Sequence, residues 1–308
     1  MNVVITGGCG FIGSNLAHEL VKVDEVTVID DLSTGRPENN EDLLDNENYR
    51  SVEGSITDLN LLKQVFDGVD YVFHQAAIPS VPRSIKDPAK TNEVNISGTL
   101  NVLIAADQEG VKKVVYASSS SVYGETPALP KEEGMIPDPL SPYAVSKLAG
   151  EYYCKVFTEI YGLKTASLRY FNVYGPKQDP SSEYAAVIPK FITRILNGKP
   201  PVICGDGEQT RDFTFVKDVV SANILAAGSS KTGVFNIGSG ARVSVNELAA
   251  AVIEASATGT DPGILHAEPR GGDVRHSLAD ISRAKSIGYE PSYDLTDGLE
   301  ETIRSFSV

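Results

Sequence analysis

The sequence predicts an α/β protein: a doubly wound parallel sheet of Rossmann type, followed by a smaller C-terminal substrate-binding region. Three observations carry this. Apolar strand-like runs alternate with amphipathic helical patterns through the first half of the chain. A glycine-rich turn, Gly7-Gly8-Cys9-Gly10-Phe11-Ile12-Gly13, joins the first strand to the first helix. An acid, Asp30, closes the second strand about 20 residues later.

Strands are predicted over 3–6, 25–29, 49–53, 71–74, 114–117 and 165–169, and helices over 12–21, 60–66, 88–108 and 142–161. Asp87-Pro88 and Ser141-Pro142 each put a capping side chain before a proline at the first helical position, which marks two helix starts. Beyond residue 171 proline and glycine are commoner and the elements shorter. A strand–helix pattern over 213–227 reads as one more unit returning to the main sheet.

Composition removes several classes. At 308 residues, with 41% apolar and 22% charged side chains, the chain can bury a core without staples, so disordered and fibrous classes are excluded. No apolar run approaches the ~18–20 residues that span a bilayer. The first strand runs straight into glycines with no basic segment before it, unlike a signal peptide, so a cytoplasmic protein is expected. A net charge of −14 argues against a nucleic-acid partner, whose phosphates call for a basic stripe. Cys9, Cys154 and Cys204 are odd in number and far apart, as in a reducing compartment. His18, His74, His266 and His276 have no metal-ligand spacing with them, so no metal site is expected.

The glycine turn is expected to hold a dinucleotide. Gly7 allows the tight turn, Gly10 lets the backbone approach a pyrophosphate, and Gly13 lets the helix pack closely on the strand. The first-turn N–H groups, around Phe11 and Ile12, then face the phosphates. Asp30 would accept hydrogen bonds from both adenine-ribose hydroxyls and repel a 2′-phosphate, so NAD is expected rather than NADP. Residues 1–170 are accordingly expected to form the NAD-binding domain, with a returning segment near 213–238, and residues 171–308 the substrate region.

A second constellation carries chemistry. Tyr143 and Lys147 lie four apart at the start of a helix and share one face. The run Ser118-Ser119-Ser120-Ser121 sits just past a strand end, where open α/β sheets bind ligands. A free tyrosine titrates near pH 10. A nearby ammonium, the positive helix end and a cationic nicotinamide are each expected to favour its phenolate. With a serine hydroxyl to hand the proton on, the trio suits removal of a carbinol proton while hydride leaves to NAD.

These motifs resemble the extended short-chain dehydrogenase/reductase family, and the similarity covers nearly the whole chain. Within it, the sequence is most similar to the nucleotide-sugar 4-epimerases that act on UDP-glucose or UDP-N-acetylglucosamine. The matching stretches are Thr6-Gly7-Gly8-Cys9-Gly10-Phe11-Ile12-Gly13, the serine run with Val122-Tyr123-Gly124, Ser141-Pro142-Tyr143-Ala144-Val145-Ser146-Lys147, Leu168-Arg169-Tyr170-Phe171-Asn172-Val173-Tyr174-Gly175, and Gly205-Asp206-Gly207 with Arg211-Asp212. The resemblance implies Ser119 as the catalytic serine, with Ser120 and Ser121 as neighbours able to replace it. It implies that Asn95 and Lys147 contact NAD, that Ala76 lines its path, and that Phe171 supports the nicotinamide. Asn172 would meet the sugar nucleotide, Arg211 and Arg270 would neutralise the diphosphate, and Asp273 would hold the uridine ribose. One departure stands out: the family's Gly-Asp-Ile, whose aspartate binds adenine, is Gly54-Ser55-Ile56 here. Ser55 can still hydrogen-bond, so weaker adenine recognition is expected beside Ile56.

The same resemblance separates reactions. A 4,6-dehydratase needs an Asp-Glu pair just before Val-Tyr-Gly, and the decarboxylases a glutamate there; this chain has Ser120 and Ser121. An NAD-binding regulator would be expected to lack Tyr143 or Lys147. A UDP-sugar 4-epimerase is therefore expected, inverting C4 through a 4-keto sugar with NAD regenerated in each cycle. Acceptance of acetylated sugars is expected from Ser277, four residues after Asp273, where a tyrosine goes with enzymes restricted to glucose and galactose. The stretch Tyr184-Ala185-Ala186-Val187-Ile188-Pro189 points to the same branch and puts Val187 near the sugar. A homodimer is expected from apolar stripes on two helices: Val94, Leu100, Leu103 and Ala106, with Ile96 on a second edge, and Val145, Leu148, Tyr152, Val156 and Phe157.

Overall fold

The computed structural model describes residues 1–180, 186–257, 262–269 and 275–306. Seven parallel strands form the central sheet: β1 (Asn2–Thr6), β2 (Glu25–Asp30), β3 (Tyr49–Glu53), β4 (Tyr71–His74), β5 (Lys113–Ser119), β6 (Lys164–Tyr170) and β7 (Gly233–Ile237). Their spatial order is β3-β2-β1-β4-β5-β6-β7. The chain winds outward from β1 in one direction and from β4 in the other. The crevice beyond the strand carboxyl ends at that switch point is where such sheets take a ligand. Thr6 of β1 stands opposite His74 of β4, so the glycine turn and Gln75-Ala76 both open on this crevice.

The longer helices are α1 (Phe11–Leu20), α2 (Leu59–Phe66), α3 (88–108), α4 (Pro142–Val156), α5 (Val187–Leu196), α6 (Val216–Gly228), α7 (Val245–Ala255) and α8 (Leu295–Phe306). Alternate strand residues serve opposite faces. Val3, Ile5, Val28 and Val115 pack with Leu16 and Leu20 of α1 and Val219 and Ala226 of α6. Val4, Ile29, Val72 and Val114 pack with Phe66 of α2, Val102 and Leu103 of α3, and Cys154 of α4. Both faces are covered, which is why the strands read as nearly continuous β-branched runs. A third cluster joins α5, α7 and α8 to Tyr174, Phe213 and Phe215 beyond the sheet.

The two expected caps are made. Asp87 Oδ1 accepts from Lys90 N at 2.9 Å and Ser141 Oγ from Ala144 N at 3.1 Å. Two helices differ from expectation. The 88–108 helix changes to π-helical winding over Glu93–Gly98, and a π turn, Phe157–Tyr161, follows α4. Wider winding shifts the register by one residue without breaking the apolar periodicity, so the pattern alone does not reveal it. The apolar stripe expected to serve a dimer also divides. Val94, Leu103 and Ala106 are buried in the core between α3 and the sheet. On α4, Val145, Tyr152 and Val156 are exposed. The strand expected near 213 to rejoin the main sheet does not: Thr214–Phe215 pair with Val173–Tyr174 in a separate two-stranded sheet, and β7, Gly233–Ile237, completes the main sheet edge beside β6. Among the described residues, no helix is long and apolar enough to cross a membrane, and no cluster of side chains could hold a metal ion.

Candidate active site

A cleft of ≈ 430 Å³ opens at the switch point. Its walls include Gly7, Gly10, Phe11, Ile12 and Gly13 from the glycine turn, Asp30 from β2, Ile56 and Ala76 from the turns after β3 and β4, and Tyr143 and Lys147 from α4. The turn needs its glycines for two different reasons. Gly7 has φ +71, and a Cβ there would lie 2.6 Å from the Ala76 backbone. At Gly13 a Cβ would stand 2.2 Å from the Gly7 carbonyl, closing off the approach of α1 to the turn. No side chain caps α1 and no acid occupies its first turn, so its N–H groups face the cleft ready for an anion.

Asp30 is tied into the turn. Its Oδ2 accepts from Cys9 N and its Oδ1 from Leu32 N, each at 2.9 Å. Burial pushes its carboxyl up, and these two N–H groups pull it back. Each oxygen keeps a lone pair for a further donor, which suits two ribose hydroxyls. Glycine turn, uncapped helix and acid thus suit a dinucleotide in chemistry.

At the other end of the cleft, Tyr143 stands one residue inside α4. Ser119, the last residue of β5, faces its phenol closely enough to lower its pKa, while burial raises it more. Burial also depresses Lys147, to about 7. The Lys147 Nζ donates to the Ala117 carbonyl at 2.8 Å and lies 5.9 Å from the Tyr143 ring centre. The Ala117 carbonyl takes one of the three Lys147 N–H donors and leaves the charge near the Tyr143 ring, while exclusion from water disfavours both charged forms. The Ser119 hydroxyl lowers the Tyr143 pKa against that burial.

Three expected cofactor residues lie elsewhere. Ser55 Oγ turns to Thr57, accepting from its N at 3.3 Å and its hydroxyl at 3.0 Å, and is off the cleft wall. Asn95 is buried in the π segment and clamps the loop after β4. Its Oδ1 accepts from Ile78 N at 2.8 Å, and its Nδ2 donates to the Ile78 carbonyl at 3.1 Å and Ser146 Oγ at 3.0 Å. Phe171 is fully buried, packed 6.2 Å from Tyr123 between ring centres, behind the wall. Tyr170 lines the cleft instead, held by Gln75 and Asn223. Strand alternation explains this: neighbouring residues at the end of β6 face opposite ways.

The expected substrate residues gather around a separate strand pair. Asn172, at φ 29, donates from Nδ2 to the Asp212 carbonyl at 2.9 Å. Arg211 donates to the carbonyls of Thr210 and Arg275 at 3.0 and 3.3 Å, and Ser277 N to the Thr210 carbonyl at 3.0 Å. Asp212, fully buried, binds this patch together: it accepts from Ser239 N and Oγ, Gly240 N and Ala279 N. Val187 begins α5 and packs on the third cluster, outside the patch. Ser120 and Ser121 form the turn after β5; Ser121 Oγ is buried with no hydrogen-bond partner among the described residues. Arg270 and Asp273 lie outside the described residues.

The sequence reading missed Gln75, Lys177, Gln178 and Asp179 on the cleft wall. Asp179 pairs with Arg36 at 2.8 Å, and Lys177 Nζ donates to the Asn39 carbonyl, so two loops remote in sequence meet over the β2 end of the cleft. Loop residues have no periodicity that would announce such contacts.

Residues 3–238 match the model of the NAD dependent epimerase/dehydratase family. The chain belongs to this family. Its cofactor is NAD. Similar solved structures include the UDP-N-acetylglucosamine 4-epimerase of Methanobrevibacter ruminantium, in complex with UDP-N-acetylmuramic acid. It is 45% identical with a TM-score of 0.96, over 99% of this chain and 98% of that one. The UDP-glucose 4-epimerase of Thermotoga maritima, with UDP-glucose, is 41% identical with a TM-score of 0.93, over 100% and 99%. The UDP-glucose 4-epimerase of Mycolicibacterium smegmatis is 40% identical over 99% of this chain and 98% of its own length.

Proposed function

We propose that the protein is an isomerase, a UDP-sugar 4-epimerase that inverts C4 through a 4-keto sugar. We assign it UDP-N-acetylglucosamine and UDP-N-acetylgalactosamine as well as UDP-glucose and UDP-galactose. The observation that carries this reading is the surround of Tyr143: Ser119 faces the phenol, and the turn Ser120–Tyr123 beside it bears no carboxylate. Elimination of water or loss of carbon dioxide calls for an acid or base there that this chain lacks. The carboxylates on the cleft wall, Asp30, Asp31 and Asp179, are gathered instead near the end of β2.

In this reading Tyr143 takes the proton of the C4 hydroxyl, and Ser119 relays it between sugar and phenol. Lys147, fixed on the Ala117 carbonyl, holds the ribose side of the cofactor beside Tyr143. When bound, NAD would supply the hydride acceptor for the hydrogen at C4. Arg211, anchored through the Asp212 patch, grips the diphosphate while the keto sugar turns its other face to Tyr143. Arg270 and Asp273 are assigned to diphosphate and uridine ribose, Asn172 and Val187 to the sugar side, and Ser277 to the wall beside the C2 substituent. The exposed stripe of α4 is assigned to a homodimer contact.

The test is product analysis with purified protein and a panel of acetylated and plain UDP-hexoses. C4 epimers of the acetylated sugars are expected, with the plain hexoses converted equally or less well. A dehydrated or decarboxylated product, or none at all, refutes the reading.

A further inference from the structure

We propose that Glu151 is a positioning residue for this reaction: clamped by Arg169 and Ser118, it sets the register of α4 on β5 and so holds Tyr143 against Ser119. The inference rests on the roles proposed above for those two residues. Glu151 follows Lys147 by four residues and Tyr143 by eight, on the side of α4 that carries both. It is 4% exposed, and both carboxylate oxygens are engaged. Arg169 Nε donates to Oε1 at 2.8 Å, Arg169 Nη2 to Oε2 at 2.7 Å, and Ser118 Oγ to Oε1 at 2.5 Å. Arg169 belongs to β6, and its guanidinium lies 4.6 Å from the ring centre of Tyr123. The Tyr123 phenol donates in turn to Asn236 Oδ1 of β7 at 2.7 Å.

The consequence is geometric. Two side chains of α4, Lys147 and Glu151, hold consecutive residues of β5, Ala117 through its carbonyl and Ser118 through its hydroxyl. The next residue of the strand is Ser119. A buried ion pair adds little stability over well-packed apolar groups of the same volume. What it adds here is direction. A fork of two N–H bonds plus a hydroxyl permits one register of helix on strand, where apolar packing permits sliding. Displacement of a catalytic group by about 1 Å can cost about 100-fold in rate.

Three variants of the NAD-loaded protein test this: Ser118→Ala, Glu151→Gln, and the double variant Glu151→Gln with Arg169→Met, which removes the uncompensated charge. Each is mixed with UDP-N-acetylglucosamine, and separately with UDP-glucose, and the rise of reduced-nicotinamide absorbance is followed in one turnover. Its rate constant reports positioning; its amplitude, the bound NAD per chain and the thermal midpoint report folding. Rate constants about 100-fold lower are expected in both Glu151 variants and about tenfold lower in Ser118→Ala. The double variant should recover the thermal midpoint and not the rate constant. A wild-type rate constant in Ser118→Ala or in the double variant overturns the positioning role. No absorbance rise in the wild type with either sugar overturns the oxidation reading itself, before any variant is compared.

Discussion

Tyr143, Ser277 and His74 illustrate three ways in which one side chain governs the behaviour of this protein. Tyr143→Phe keeps the ring and its packing and removes the proposed base. Activity should fall by about 10²–10⁴-fold, while bound NAD per chain stays at the wild-type level. Full turnover in that variant removes Tyr143 from the base role. Ser277→Tyr adds a phenol ring where the wall is expected to meet the C2 substituent. Acetylated sugars should be lost and plain hexoses spared, because a narrowed pocket rejects the larger ligand by clash, whereas a roomy one rejects the smaller only weakly. Epimerisation of UDP-N-acetylglucosamine at the wild-type rate would exclude Ser277 as the gate. His74 is fully buried between two threonines, with Nδ1 2.7 Å from Thr6 Oγ1 and Nε2 2.9 Å from Thr99 Oγ1. Thr99 donates its own proton to the Asn95 carbonyl at 2.6 Å, so it accepts from the imidazole, and Thr6 donates to Nδ1. Burial holds the imidazole down to about 3, against 6.5 when free. Since the folded value is the lower one, the stability this neutral ring supports is complete above 6.5 and drains as pH falls toward 3. Between pH 7 and pH 5 the wild type should lose about 2 kcal/mol more than His74→Gln in urea titrations. Equal losses would mean that His74 does not set the acid limit.

At the scale of elements, α4 does three things at once. Its first two turns place Tyr143 and Lys147, its buried side packs on the sheet, and its outer side exposes Val145, Tyr152 and Val156. The exposed stripe is the basis for the proposed dimer. Light scattering at micromolar protein should give twice the chain mass, and Tyr152→Glu, which puts a charge into the apolar contact, should shift it toward one chain. A monomeric wild type contradicts the contact. The same helix shows what was legible in advance. Its start was readable because Ser141-Pro142 is a local signal, and its YxxxK spacing because helical geometry turns sequence distance into a shared face. The glycine turn was legible for the same reason: each glycine answers a contact within a few residues or across one strand pair. Phe171, expected beside the nicotinamide, is buried and Tyr170 lines the cleft, because the choice between neighbours needs the strand's facing direction, which the pattern leaves open by one residue. Asn95 was located and its partner was not; the partner, Ile78, lies on a loop 17 residues away. Asp212, quoted only as part of a matching stretch, had no role assigned and Glu151 had none, because buried carboxylates are defined by partners remote in sequence.

At the scale of the whole molecule, the proposed division sets a cofactor half and a substrate region about the cleft. The parallel sheet fixes the cofactor half: its strand order creates the crevice, and the glycine turn and Asp30 stand at its rim. The C-terminal region supplies the Asp212-centred patch and the wall residues Lys177, Gln178 and Asp179. In the proposed mechanism a substrate tethered by its diphosphate to the C-terminal region presents either face of its sugar to Tyr143, and inversion at C4 would follow. The most direct measurement is the fate of a label at C4. UDP-N-acetylglucosamine carrying deuterium at C4 should yield the C4 epimer with its deuterium retained, since in the proposed mechanism the hydrogen leaves and returns as hydride. An epimer that has lost its deuterium to solvent, or the absence of any C4 epimer, would contradict the account.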